Sequence, residues 1–180
     1  MTADEAGMTT PSRLWKRMTA EQRRRAAAAL WSSDEAVDEQ RQAVALIAKQ
    51  MKFRPKTVSG LDADRKARYL ASVPDLPDAI ATRLLIAYHL AEHRPMMSAF
   101  LDALGIAHEN GLIQDDAAAP DPAKLGPAVT EIAQQYPPDS VSLYLNTLLS
   151  QDSNTWGALG PLLQERENPK SQVSSLKSQV

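Results

Sequence analysis

The chain has 180 residues, of which 43% are apolar and 23% charged, and a formal net charge of −2. These values fit one globular domain that can bury a core of its own. There is no cysteine, which excludes disulfides, thiol nucleophiles and thiolate-held metals or iron–sulfur clusters.

No apolar run approaches the roughly 18 residues of a membrane span. Residues 1–10 also lack the basic and apolar segments of a secretory signal, so a cytoplasmic protein without a membrane role is expected. Charge is spread unevenly. Residues 1–70 carry 14 Lys/Arg against 9 Asp/Glu, a net of +5, while residues 71–180 carry 6 against 13, a net of −7. Such polarity can steer an acidic partner toward the first half; solvated helix faces would show it too.

Residues 1–10 read as a disordered tail. Pro11 to Met18 reads as a short helix with Leu14, Trp15 and Met18 on one side. Thr19 to Gln22 has the form of a capping box opening a helix to about Trp31. Arg23, Arg24 and Arg25 then sit at the dipole end that disfavours cations, so they should pair with acids such as Asp34, Glu35 or Glu39, or face a partner. Ser32 to Glu35 has the form of a second capping box. The helix after it should run to about Met51 and bury Val37, Val44, Ile47, Ala48 and Met51.

A basic stretch with Pro55 and Gly60 follows. Asp62 to Ser72 reads as a helix with Ala63, Ala67 and Leu70 inward. The segment from Pro77 to Gly105 is the most apolar and reads as two helices joined at Arg94–Pro95. The first carries Ile80, Leu84, Ala87, Tyr88 and Ala91 on one side, with His89 and His93 on a polar strip opposite. Its wide apolar arc suits a helix touched on more than one side. The second buries Met97, Phe100, Leu101 and Leu104 and stops at Gly105. Neither is stable alone, so the rest of the chain should gather around them.

Beyond Gly105, Asn110-Gly111 marks a turn in a loop. Asp121-Pro122 opens a helix to about Tyr136, with Leu125, Val129, Ile132 and Ala133 inward. Pro137-Pro138 breaks it, and Ser140 to Leu149 follows with Val141, Tyr144, Leu145 and Leu148 inward. Ser153 can cap a last short helix through Trp156 and Leu159 to Leu163. The expected fold is therefore all-α: a single compact helical bundle of about eight helices over residues 11–165, no strand, and disordered polar tails at 1–10 and 166–180. Tyr88 and Phe100 map onto Tyr144 and Trp156 at an offset of 56, a faint echo of a helical repeat.

Two stretches have the look of chemistry. His89-Leu-Ala-Glu92-His93 has the H-x-x-E-H form and in that resembles the inverted zinc peptidases. Histidines at i and i+4 share a helix face and can reach one metal with Glu92 beside them; His108, Glu109 or Glu131 would have to complete the site. Residues 44–61 resemble the helix-turn-helix of bacterial repressors. Ile47, Ala48, Met51, Phe53, Val58 and Leu61 take the packing positions, and Arg54, Lys56, Thr57 and Ser59 would face DNA. The turn glycine of that motif is replaced by Lys52, and Gly60 interrupts a short second helix. Without DNA, Lys49, Lys52, Arg54 and Lys56 form a cation cluster for a phosphate or an acidic protein surface.

There is no glycine-rich phosphate loop, no G-x-S-x-G and no pair of E-x-x-H motifs, so no cofactor is implied. The expected role is non-catalytic: an interaction or regulatory module binding another macromolecule or itself. A DNA-binding regulator using 44–61 and a metal-dependent enzyme using His89, Glu92 and His93 stand as alternatives.

Overall fold

A computed structural model describes residues 9–167. The described residues are all-α apart from one small hairpin. The tails expected at either end lie outside the described residues, except that Thr10 caps the first helix and the last helix reaches Glu167. Contacts divide the chain at Arg94–Pro95 into two compact units.

The first unit holds α1 (Pro11–Arg17), α2 (Ala20–Trp31), α3 (Val37–Met51), α4 (Pro55–Ser59), α5 (Ala63–Ala71) and α6 (Asp78–Glu92). Local rules account for most of the boundaries. Thr10 accepts from the Arg13 amide at the start of α1, with Pro11 in the first turn where its missing N–H costs nothing. The capping box of α2 is complete: the Thr19 amide donates to Gln22 Oε1 at 2.8 Å, and the Gln22 amide donates to Thr19 Oγ1 at 3.1 Å. Asp62 caps α5 through the Arg65 amide at 2.8 Å. The core lies where α2 meets α5 and α6, with α1 and α3 also against α6. Trp15, Leu30, Ile47, Leu70, Ile80, Leu84 and Leu85 fill it. The Trp15 indole donates to the Val73 carbonyl at 3.0 Å, so the largest core side chain keeps its polar atom satisfied.

The second capping box does not form. Ser32 instead ends α2, its hydroxyl donating to the Ala28 carbonyl at 2.9 Å, and α3 begins at Val37 with no side-chain cap. The Gln40 amide group donates to the Leu30 and Ser33 carbonyls, satisfying the open end of α2 from the first turns of α3. Starting α3 later leaves Val37 47% exposed and makes Ala43, Ile47 and Ala48 its buried residues.

The second unit takes α7 (Arg94–Leu104) from Pro95 onward, the strands β1 (His108–Glu109) and β2 (Leu112–Ile113), and α8 (Pro122–Gln135), α9 (Pro138–Gln151), α10 (Ser153–Trp156) and α11 (Leu159–Glu167). Phe100 packs edge-on against Tyr144 at 5.8 Å and lies 6.2 Å from Trp156, so α7, α9 and α10 share an aromatic core. Tyr88 is packed in the first unit, so the 56-residue echo does not place equivalent residues in equivalent settings. Asp152, rather than Ser153, caps α10 through the Asn154 and Thr155 amides.

The hairpin is the strand pair that the apolar pattern does not show. Asn110 and Gly111 both take left-handed dihedrals, φ 51° and 90°, which suits a two-residue turn between twisted strands. The pairing is antiparallel, His108 with Ile113 and Glu109 with Leu112. A Cβ at Gly111 would lie 2.8 Å from Met97 Cβ, whereas one at Gly60, which ends α4 in the right-handed helical region, meets only the Lys56 and Thr57 carbonyl oxygens at 3.6 Å and 3.7 Å. Gly111→Ala should therefore lower stability by about 2 kcal/mol through strain and overlap. Gly60→Ala should raise it by about 0.5 kcal/mol. Urea melts of the two variants check the opposite signs.

Candidate functional site

Two clusters of polar side chains stand out, and they belong to different environments. The first is the end of α6. His89 is only 1% exposed and His93 half-buried, although the helical wheel placed both on a polar strip. The strip is covered because α6 is packed by α1, α2 and α3 and has little free face. The two Nδ1 atoms are 3.1 Å apart, so one ring carries the shared proton and the other accepts it. The Tyr88 ring lies against both, at 5.6 Å and 5.2 Å.

Burial, and then the neighbouring His93, lowers His89 to about 3. Burial also lowers His93, with Glu92 working weakly the other way. Burial raises the Tyr88 hydroxyl, opposed by a hydrogen bond with the Gln22 side chain. Glu92 does not join the histidines. Its carboxylate accepts from Arg25 at 2.8 Å, and Arg25 also donates to Glu21 at 3.0 Å. Among the described residues no group of three or more His, Asp or Glu side chains is arranged to hold a metal ion. His108, one possible third ligand, bonds Asp102 at 3.0 Å and accepts from the Gly111 amide at 3.2 Å.

The second cluster is the corner between α3 and α4. Lys52 ends α3 in the left-handed conformation, φ 56°, at the position where the helix-turn-helix pattern wants glycine. The Phe53 amide then bonds back to the Ala48 carbonyl at 2.9 Å, and Pro55 starts α4. Lys49, Lys52, Arg54, Lys56 and Thr57 are all exposed. Phe53 is exposed by 38%, its ring edge-on to Tyr69 at 5.7 Å. Ile47, Ala48 and Val58 are buried as the repressor-like packing requires, while Met51 and Leu61 are half-buried. The second helix has only five residues, little more than one turn.

The rest of the first unit shows why this corner differs. Arg24 pairs with Asp64, Arg25 with Glu21 and Glu92, Arg65 with Asp62, Arg68 with Asp64, and Arg83 with Glu39. Asp34 and Glu35 are not the partners of the arginine run, and Glu39 serves Arg83 instead. Lys66 sits over the Trp31 ring at 4.8 Å. None of Lys49, Lys52, Arg54 and Lys56 forms an ion pair among the described residues. No acidic residue occurs between Gln40 and Leu61. Composition alone could have found that acid-free interval; the pairing of the other cations required the fold.

No helix among the described residues is long and apolar enough to cross a membrane. Comparison with models of known families, with characterised proteins and with solved structures finds no match.

The histidine pair makes a testable statement about acid stability. An unfolded histidine takes up its proton below about pH 6.5, whereas folded His89 stays neutral down to about 3. The stabilisation is therefore fully present above the unfolded value. It is lost as pH falls from there toward the folded one, at up to about 1.4 kcal/mol per pH unit for one proton. Denaturant melts between about pH 7 and pH 5 should show this slope, and His89→Leu should remove roughly one proton's worth of it.

Proposed function

We propose that this chain is a non-catalytic interaction module that receives an acidic macromolecular surface on the corner between α3 and α4. The observation that carries this reading is the set of four exposed cations, Lys49, Lys52, Arg54 and Lys56. They stand without acidic partners in a unit whose other helices pair most of their cations. Neighbouring like charges repel, so a folded chain gains nothing by gathering them; an anionic partner does. Exposed Phe53 adds an apolar contact at the centre of the same corner. A charged rim around an aromatic anchor suits protein recognition.

The DNA-binding reading draws on the left-handed turn at Lys52 and the exposed Arg54, Lys56 and Thr57. It is weakened by α4, whose single turn gives little to insert into a major groove. The metal-enzyme reading has less support, because His89 and His93 engage one another and Glu92 engages Arg25.

Retention on immobilised poly-glutamate and on duplex DNA at low ionic strength tests the proposal. The wild-type chain should bind poly-glutamate and release as salt rises. Lys52→Glu with Arg54→Glu should weaken retention about tenfold, with the helical circular dichroism spectrum unchanged. Equal retention of variant and wild type would sink the reading. Clear preference for duplex DNA would select the repressor-like alternative.

A further inference from the structure

Four large apolar side chains are exposed among those described: Val37 at 47%, Phe53 at 38%, Leu112 at 46% and Ile113 at 39%. Phe53 marks the basic corner. Leu112 and Ile113 are adjacent and form the whole of β2.

The surroundings of the two places are opposite in charge. Between Gln40 and Leu61 there is no Asp or Glu, and the corner presents Lys49, Lys52, Arg54 and Lys56. Between Arg94 and Lys124 there is no Lys or Arg. That interval carries exposed Asp102, Glu109, Asp115, Asp116 and Asp121, which flank the hairpin in sequence.

The hairpin is also held firmly. His108 ties the Asp102 carboxylate to the Gly111 amide, Gly111 packs against Met97, and the Gln114 amide donates to the Ala107 carbonyl at 3.1 Å. A pre-formed apolar tip loses little conformational freedom on docking. Open two-residue strand edges and exposed Leu112 and Ile113 are costly features to leave in water.

We infer that the acidic surface received by the α3–α4 corner is the β1–β2 hairpin of a second copy of this chain, so that copies associate through corner and hairpin. This rests on the interaction-module reading above and names its partner. Two different patches meet, one from each copy, so each chain brings one corner and one hairpin to the association. An exposed apolar side chain of β2 meets Phe53, and the flanking acids meet the flanking cations.

Sedimentation velocity over a concentration series, at low and high salt, reads the association. Wild type should gain mass with concentration and lose it as salt rises. Phe53→Ser with Arg54→Ser removes the corner, and Leu112→Ser with Ile113→Ser removes the hairpin tip. Each variant alone should be monomeric, with association weakened at least about tenfold. An equimolar mixture of the two should give a dimer and nothing larger, because one intact corner meets one intact hairpin. Asp115→Asn with Asp116→Asn leaves the apolar tip in place and should shift association to higher concentration.

A wild-type chain monomeric throughout would overturn the inference, as would a hairpin variant that still associates or a mixture that stays monomeric. If such a chain is still retained on poly-glutamate through its corner, only the identity of the partner has failed. If retention is absent too, the interaction-module reading falls with it.

Discussion

Helix α6 is enclosed by α1, α2 and α3, and this enclosure governs the chemistry of the first unit. A helix covered on several sides can bury more apolar surface than one face allows. Any polar side chain on it must then find a partner inside the protein. His89 does so through His93, and Glu92 at the rim does so through Arg25. The result is a pair of neutral, mutually bonded rings beside an outward-directed ion pair. That arrangement is what distinguishes this H-x-x-E-H stretch from a metal-binding one. The same three residues are present, but packing has divided them between two separate interactions.

The ion pairs around that core follow a consistent logic. The arginine run at the start of α2 lies against the helix dipole, so it needs external compensation. It gets part of this from Asp64 on α5 and Glu92 on α6, residues 40 and 67 positions away in the chain. Each exposed pair contributes little to stability, because water screens it. Their greater consequence is that they neutralise one side of the unit and leave the α3–α4 corner as its concentrated positive feature.

Much of the local structure was legible beforehand because its causes are local. The capping box at Thr19, the caps at Asp62 and Asp121, the prolines in the first turns of α1, α7 and α8, and the stop at Gly105 all depend on residues a few positions apart. Where two local rules competed, the sequence reading failed. Ser32 could open one helix or close another, and the carbonyls at the end of α2 decided the matter by recruiting Gln40. The hairpin was missed because two residues per strand are too few to show alternation, although Asn110-Gly111 did mark its turn. Phe53 could be read as a core residue at the end of α3. Lys52 turning left-handed carries it outward to Tyr69 instead.

The candidate sites were legible only as residue types. The basic stretch was visible as an interval without acids, and the histidines as an i, i+4 pair. What the sequence determined by itself was the helical class, most helix ends and the uneven charge, because propensity, capping and composition act over a few residues. Which charges find partners, which histidine loses its water and which aromatic stays in it were decided by the tertiary structure. Those outcomes depend on faces brought together from distant parts of the chain, and no short window of residues contains both sides of such a contact.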